Sequence, residues 1–247
     1  MGKTEKAISF YQQALFMAQA SGNRRLEGHA LNNLGLVYYG LHDFRLKSIG
    51  NYDQAISYYE QALCIMKETG DQIGEIEVSG NLGAIYAKQG KYPFAIIYHE
   101  QALAKARQMK NRRNESRSLS YLGDVYYDTG KTEQAIRLFQ EAVTVAHNLG
   151  DRSLEATFSG NLGWAYIQSF AKRKARQQLL HSQEVFIEIG IPVPPWFTFG
   201  LFLTRVPVIF MVIYIITLRL IRPFIRGLGL QLWMEYFIKR IFGTKKS

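Results

Sequence analysis

The sequence predicts an all-α protein in which antiparallel helix pairs stack into a right-handed superhelical array, followed by a hydrophobic helical C-terminal tail. A Leu-Gly pair recurs with spacings of 48, 40 and 40 residues, and a tyrosine follows each glycine by three residues. The four pairs are Leu34-Gly35, Leu82-Gly83, Leu122-Gly123 and Leu162-Gly163. A second run of residues begins with alanine at positions 55, 95, 135 and 175. Both runs keep a 3.6-residue period, which indicates that each unit is a pair of amphipathic helices.

The first element is expected to be a second helix without its first helix. The segment from Gly2 to Ala7 aligns with the segment from Gly130 to Ala135, which begins the second helix of a later unit. Residues 1–20 are therefore predicted to be the orphan second helix of a truncated repeat, with its apolar side covered on one face only. This pattern favours a fragment, or a reading frame that starts at an internal methionine.

Four helix pairs are predicted to follow within residues 21–190. Their expected bounds are 21–69, 70–109, 110–149 and 150–190. Three boundaries place a helix-ending glycine beside a residue that can cap the next helix, because glycine tolerates the left-handed conformation and Asn or Asp accepts from free backbone N–H groups. These boundaries are Gly22-Asn23, Gly70-Asp71 and Gly150-Asp151. Between the helices of the first pair, the eight residues from Leu41 to Ser48 are extra, and they are either a neutral surface extension or a loop that contacts a partner.

The glycines of the Leu-Gly pairs are expected to lie where the two helices of a unit approach closely. Glycine inside a helix costs about 1 kcal/mol relative to alanine. Four glycines in one register therefore imply a compensating contact, and close packing of the second helix against the first supplies one.

These residues resemble the tetratricopeptide repeat, whose pattern is Leu-Gly, then Tyr, then Ala, an aromatic residue and Ala. The third unit has these residues at Leu122, Gly123, Tyr126, Ala135, Phe139 and Ala142. The period of 40 exceeds the common 34 and is similar to the longer repeats of kinesin light chains. Three residues depart from the pattern, since His99 and Leu179 replace the aromatic residue and Ser182 replaces the last alanine.

The resemblance implies a protein-interaction scaffold that binds a protein or peptide in a concave groove lined by the first helix of each unit. The family's groove positions, transferred residue by residue, give nine candidate partner-binding residues. They are Asn33, Tyr39, Asn81, Arg117, Tyr121, Asp124, Tyr127, Asn161 and Trp164. The charges expected there are mixed, which disfavours a purely acidic or purely basic ligand.

Asparagine recurs in one phase of the first helices although it is a poor helix former. Its amide can both donate to and accept from the backbone of an extended peptide. The alternative is that these amides bond neighbouring helices or water. The aromatic candidates have a similar alternative, which is ordinary packing between helices.

Residues 191–247 form a basic, apolar tail with eight Lys and Arg residues against one Glu, out of a net charge of +10 for the chain. From Pro195 to Leu218 the tail has 24 residues and one charge, at Arg205. A helix of this length reaches across a hydrocarbon core of about 30 Å, although an arginine inside it is unfavourable. The sequence therefore predicts membrane association through residues 195–242. The candidate membrane contacts are Trp196, Phe197, Phe199, Phe202, Ile209, Phe210, Ile213, Tyr214 and Trp233.

Three arrangements of the tail remain open. It can lie in or on a membrane, which would place the chain at the cytoplasmic face, with Pro223 turning the segment back to the surface. It can instead fold over the last repeat as a cap, which would suit a soluble cytoplasmic protein. It can also be the aberrant product of a damaged reading frame.

Enzymatic chemistry has little support in the sequence. The five histidines have no metal-ligand spacing, and no Ser, Cys or carboxylate stands in a catalytic motif. Cys64 is expected to be a small buried group on a second helix. We therefore expect no enzyme activity, cofactor, metal, nucleic acid or small-molecule substrate. The alternative function is a regulatory or sensor fragment of a larger signalling enzyme whose catalytic part lies upstream.

Overall fold

The computed structural model describes residues 2–40, 49–207, 212 and 214–216. Within these ranges every regular element is an α-helix, and no strand occurs. The insertion from Leu41 to Ser48 lies outside the described residues. The chain divides into two compact units, Met1–Asn114 and Glu115–Ser247.

The first unit contains five helices within the described residues. They are α1 (Gly2–Ala20), α2 (Arg24–Gly40), α3 (Ile49–Thr69), α4 (Gln72–Lys88) and α5 (Tyr92–Gln108). The pairs α2/α3 and α4/α5 make the largest helix contacts, while α1 packs on α2 and α3 packs on α4. The core between them holds Leu34, Tyr59, Met66, Leu82 and Ile85, all essentially without exposed surface.

The second unit continues the pattern, with α6 beginning three residues before the boundary between the units. Its helices are α6 (Arg112–Asp128), α7 (Thr132–Asn148), α8 (Arg152–Gln168), α9 (Lys172–Glu188) and α10 (Pro195–Leu203). Here α8 packs on α7 and on α9, and its core includes Phe139, Ile167 and Leu179. The predicted all-α fold of stacked antiparallel helix pairs is confirmed.

The glycines of the Leu-Gly pairs lie directly under a large side chain of the second helix of the same pair. A β-carbon added to Gly35 would lie 2.6 Å from Tyr59, and one added to Gly123 would lie 2.7 Å from Phe139. At Gly163 the same position would be 2.7 Å from Leu179. The packing explanation for these glycines is therefore confirmed.

Asparagine and aspartate cap the helices that begin a pair, as predicted. Asn23, Asp71 and Asp151 accept from the backbone N–H groups of Leu26, Gly74 and Leu154, respectively. Sequence analysis overlooked a fourth cap, at Asn111, which accepts from the N–H of Asn114 at 3.2 Å. The residue before it, Lys110, adopts the left-handed conformation (φ 56°) that glycine adopts before the other three caps.

The short helix α10 packs on α8 and α9 and covers the last helix pair. Phe197 is 1% exposed, meets the Phe186 ring edge-on at 5.5 Å between centroids and fills the space above Gly160. Gly200 lets α10 approach Leu179, because an added β-carbon would lie 3.0 Å from Leu179 Cδ1. For Pro195–Leu203 this arrangement matches the capping alternative.

A single continuous helix from Pro195 to Leu218, which the length and composition of this segment would permit, is not formed. The helix ends at Leu203 and the chain turns at Thr204 and Arg205. Pro207 supplies the physical reason, because the residue before a proline disfavours helical backbone. Among the helices of the described ranges, none combines the length and the apolar content that crossing a bilayer requires.

The candidate membrane contacts fall into three groups. Phe197 and Phe199 are buried against α8 and α9, so neither ring is exposed to contact lipid in this structure. Trp196 and Tyr214 are half-buried, while Phe202 is 41% exposed. Ile209, Phe210, Ile213 and Trp233 lie outside the described residues.

Candidate functional site: the first-helix surfaces

In the first unit, α2 and α4 are the first helices of their pairs and lie close enough for side-chain contact. The Asn81 amide donates from Nδ2 to Asn32 Oδ1 at 3.0 Å. Asn81 is half-buried, whereas Asn32 is buried. Asn33, also half-buried, has no side-chain hydrogen bond to any part of the chain that the structure describes. We call this side of α2 and α4 the first-helix surface of unit one.

In the second unit, α6 and α8 form an equivalent first-helix surface. Asn161 Nδ2 lies 3.4 Å from both Ser120 Oγ and Asp124 Oδ1 on the neighbouring helix. At the other end of the helices, Gln168 Nε2 donates to the Tyr127 carbonyl at 3.5 Å. The amides of Asn81 and Asn161 thus bond a neighbouring helix, as one of the two sequence alternatives expects, while their carbonyl oxygens carry no bond within the described residues.

The remaining candidate residues differ in how much surface they offer a partner. Arg117 is exposed and donates to the Tyr121 hydroxyl at 3.3 Å, one helical turn away. Tyr39 is half-buried beside Tyr52, with 6.2 Å between ring centroids. Burial, and then the charge of Tyr39, raise the pKa of Tyr52 to about 12.

Trp164 is a packing residue as much as a surface residue. Its ring lies 6.4 Å from both Trp196 and Phe199 of α10, measured between centroids. The indole is half-buried, and its Nε1 atom is buried without a hydrogen-bond acceptor in the described residues. Substituting Trp164 would therefore disturb the packing of α10, which makes it a poor probe of partner binding.

A glutamate stands in the first turn of each first helix that the structure describes, buried in three of them and half-buried at Glu75, and sequence analysis missed this series. Its members are Glu27, Glu75, Glu115 and Glu155. Their spacings of 48, 40 and 40 residues equal those of the Leu-Gly pairs, and this regularity was the signal that could have revealed them. Burying a carboxylate requires compensating partners.

The partners of these glutamates vary from one helix pair to the next. Glu27 pairs with Arg24 at 2.7 Å, and Glu75 pairs with Lys105 at 3.0 Å. Glu155 accepts from three cationic or imidazole groups, namely His147 and His181 at 3.0 Å on Oε1 and Arg152 at 2.7 Å on Oε2.

Burial and hydrogen bonds shift the pKa of the Glu155 carboxyl in opposite directions. Burial alone would raise the pKa of this carboxyl, but the bonds from His147, His181 and Arg152 outweigh burial and lower it. Asp71 follows the same rule, because burial raises its pKa, but the Gly74 N–H and the Arg25 and His29 side chains together lower it to below the ordinary value. The Glu155 and Asp71 carboxylates therefore stabilise the contacts between helices, and their burial keeps them from contacting a substrate.

Two further side chains, His99 and Cys64, have chemically reactive groups. His99 is 1% exposed, and burial lowers its pKa to about 4. The expectation of burial for Cys64 is wrong, since this thiol is exposed and donates to Glu68 at 3.5 Å. Within the described residues, no group of three His, Cys, Asp or Glu side chains is suited to hold a metal ion.

Comparisons with known proteins agree with this architecture. A sequence model of the tetratricopeptide repeat family matches residues 46–108 and 114–188, which together exceed half of the chain. A search among curated proteins returned no relative.

Solved structures of similar fold include two proteins related to kinesin light chains. BtubC (BKLC) from P. vanneervenii is 23% identical, with a TM-score of 0.65 over 78% of this chain and 77% of that chain. A putative kinesin light chain from Podosopora anserina with nearly identical TPR-like repeats is 15% identical, with a TM-score of 0.59 over 76% of this chain and 89% of that one.

A third similar structure belongs to a much longer protein. It is a signal transduction ATPase with numerous domains and a tetratricopeptide repeat sensor, from Pyrococcus horikoshii. The two chains are 20% identical, with a TM-score of 0.56 over 66% of this chain and 24% of that chain. At these identities the similarity shows the fold alone.

Proposed function

The chain belongs to the tetratricopeptide repeat family, and from this premise we propose that it is a protein-interaction scaffold whose first-helix surfaces bind an extended peptide segment of a partner protein. The observation that carries the proposal is the register of half-buried asparagines, at Asn33 and Asn81 in one unit and Asn161 in the other. Each presents an amide at the surface of a rigid helix, where it can bond a peptide backbone at little conformational cost.

The internal bonds of the asparagines are compatible with peptide binding. Asn81 and Asn161 each use Nδ2 to bond the neighbouring helix, which fixes the side-chain orientation. Their Oδ1 atoms are left to accept from a peptide N–H. Asn33 has both of its amide groups available, so it is the strongest single candidate.

The charges around the first-helix surfaces favour a ligand of mixed charge. Lys88 and Glu77 are exposed on α4, and Arg117 and Asp124 are exposed on α6. A uniformly acidic or basic peptide would meet a like charge in each unit, which costs binding energy. Backbone recognition with two or more side-chain anchors suits a mixed sequence better.

The test is selection of peptides from a random displayed library by the full chain, followed by measurement of the dissociation constant for the selected peptides. Asn33→Ala is expected to weaken binding about fivefold to 20-fold, the cost of one or two lost hydrogen bonds. Asn148→Ala is the matched control, because this amide is exposed at the C-terminal end of α7. Equal affinities of both variants and the wild-type chain would count against the assignment of the binding surface.

A second candidate function is the sensor part of a larger signalling enzyme. Its support is the similarity of fold to the signal transduction ATPase that has a tetratricopeptide repeat sensor. The match covers 24% of that ATPase chain. The genomic sequence adjoining the coding region tests it. An ATPase, kinase or protease domain in the same reading frame would favour the sensor function, and its absence would leave the scaffold function.

Tethering of the scaffold to a membrane through residues 195–242 stays a prediction. Its support is the sequence from Val206 to Leu218, which has no charged residue, and the basic residues that follow. Deletion of residues 208–247 is expected to release the chain from sedimenting membranes. If the shortened and full chains sediment equally, the tail is not the tether.

A further inference from the structure

The turn between α8 and α9 carries an aromatic residue where the equivalent turns carry glycine. Phe170 adopts a left-handed conformation (φ 60°), as do Gly130 (φ 79°) and Gly90 (φ 74°), which precede it by 40 and 80 residues. A bulky residue in this conformation is strained, whereas glycine is not. The Phe170 side chain is 42% exposed, so burial of the ring compensates for only part of this cost.

Positive charge is concentrated beside this turn, in the first five residues of α9. Lys172, Arg173, Lys174 and Arg176 stand there, and no acidic residue accompanies them. The equivalent residues of α7 are Thr132, Glu133, Gln134 and Ile136. Cations at a helix N-terminus oppose the helix dipole, so this distribution lowers the stability of α9.

The cations of this patch have no carboxylate partner within the described residues. Lys172 donates to the Val206 carbonyl, and Lys174 lies 5.6 Å from the centre of the Tyr166 ring. The bond from Lys172 also brings Arg205, which is exposed, next to α9. By contrast, Arg152 at the start of α8 pairs with both Glu155 and Glu188.

We propose that this patch is a contact surface for an anionic lipid bilayer, with Phe170 entering the interface and the surrounding cations binding headgroups. The patch consists of Phe170, Lys172, Arg173, Lys174, Arg176 and Arg205, and we call it the basic turn. Cations beside an exposed aromatic ring are the combination that binds anionic membrane surfaces. An acidic protein would satisfy the charges but would leave the strained, exposed ring unexplained.

The position of the basic turn in the chain supports a lipid partner. Directly after Arg205, the sequence from Val206 to Leu218 contains no charged residue. The bond between Lys172 and Val206 places the start of this apolar sequence against the basic turn. The basic turn does not depend on peptide binding by the first-helix surfaces, so either proposal can fail while the other stands.

Co-sedimentation of the full chain with vesicles tests the proposal. Vesicles of phosphatidylcholine with phosphatidylserine are compared with vesicles of phosphatidylcholine alone. The triple variant R173Q/K174Q/R176Q leaves the Lys172 bond intact. It is expected to lower partitioning onto the anionic vesicles by about tenfold to 100-fold, since each cation near the surface contributes a factor of about five.

The matched control is K6Q/K67Q/K88Q, which removes the same charge at exposed positions of the first compact unit. It is expected to leave partitioning within about twofold of wild type, because none of these lysines belongs to the basic turn that meets the headgroups. Equal losses in the two triple variants would overturn the proposal, as would unchanged binding of R173Q/K174Q/R176Q.

Phe170→Gly separates lipid contact from a structural role. Glycine relieves the left-handed strain, so the thermal midpoint is expected to stay the same or rise, while partitioning falls severalfold through loss of the ring. A fall in the midpoint with unchanged partitioning would instead make Phe170 a structural residue and overturn its assignment. Binding of soluble polyglutamate through the basic turn, without binding to anionic vesicles, would overturn the lipid proposal in favour of an acidic protein.

Discussion

The imidazole of His99 packs directly on Gly83, so closely that a β-carbon on Gly83 would lie 2.5 Å from His99 Cε1. The same relationship joins Gly35 to Tyr59 and Gly123 to Phe139 in other helix pairs. In these helix pairs, a glycine on the first helix and an aromatic ring on the second helix therefore form one packing unit. Histidine fills the position with a smaller and titratable ring.

Gly83→Ala is expected to destabilise the chain by roughly 1–2 kcal/mol, because overpacking against His99 outweighs the gain in helix propensity. Gly80→Ala, three residues earlier on the same helix, is the control. No atom lies within 4 Å of a β-carbon at Gly80, so alanine there is expected to stabilise by about 1 kcal/mol. Urea unfolding followed by circular dichroism measures both changes. A loss of stability in Gly83→Ala together with a gain in Gly80→Ala supports the close packing of His99 on Gly83. A gain in stability from Gly83→Ala would contradict it.

The buried His99 should make stability depend on pH. Burial lowers its pKa from 6.5 to about 4 in the folded chain, so the unfolded chain binds a proton first as the pH falls. Stability contributed by neutral His99 is full above pH 6.5 and is lost as the pH falls towards 4, by about 3 kcal/mol at most. His99→Leu copies the residue of α9 at this position, Leu179, and is expected to remove this part of the pH dependence. If stability depends on pH equally in His99→Leu and in the wild-type chain, His99 does not cause this dependence.

The helix pairs could be predicted because a few residues recur at fixed spacing. Gly35 and its equivalents constrain how closely two helices approach, and the alanines of the second helix keep the same phase. Neither depends on distant parts of the chain. The capping residues Asn23, Asp71 and Asp151 were likewise evident, since a cap acts within one helical turn.

Other features were missed because their signal lies in a departure from the repeat. Pro207 ends the helix that the apolar composition alone suggested would continue to Leu218. Phe170 and Lys110 replace glycine in turns, which becomes clear only when the units are aligned. The glutamates in the first turn of each first helix repeat regularly, but their partners do not, because Arg24, Lys105 and His147 approach from different helices.

Glu155→Gln is expected to destabilise the chain by roughly 2–4 kcal/mol. Both carboxylate oxygens of Glu155 accept hydrogen bonds, from His147 and His181 on Oε1 and from Arg152 on Oε2. An amide would place an N–H donor against one of these donors in a site that is 3% exposed. Thermal unfolding at neutral pH measures the loss. The control is Glu184→Gln on the exposed side of α9, which is expected to change stability by less than about 0.5 kcal/mol.

We expect the chain to lose stability in acid because of the Glu155 carboxylate. Burial raises the pKa of Glu155, but the bonds from His147, His181 and Arg152 lower it further, to below its ordinary value of 4.5. Its contribution is therefore present above pH 4.5 and is lost as the pH falls through the folded pKa. Glu155→Gln should show a shallower fall in stability with acid below pH 4.5 than the wild-type chain. If the stability of the variant and of the wild-type chain falls equally with pH below 4.5, Glu155 does not cause the loss.

Lys110→Gly is expected to stabilise the chain, unlike most substitutions of a helix-flanking residue. Lys110 has φ 56° between α5 and α6, where Gly22, Gly70 and Gly150 have φ 68° in the equivalent turns. Removing the β-carbon relieves about 1–2 kcal/mol of strain, and the greater freedom of glycine in the unfolded chain returns part of it, leaving a net gain of roughly 0.5–1 kcal/mol. The reverse change, Gly150→Lys, should cost a similar amount. Differential scanning calorimetry measures the stability of both variants. We expect Lys110→Gly to be more stable than the wild-type chain and Gly150→Lys to be less stable. If both changes destabilise, Lys110 stabilises the turn through its side chain and the strain argument is wrong.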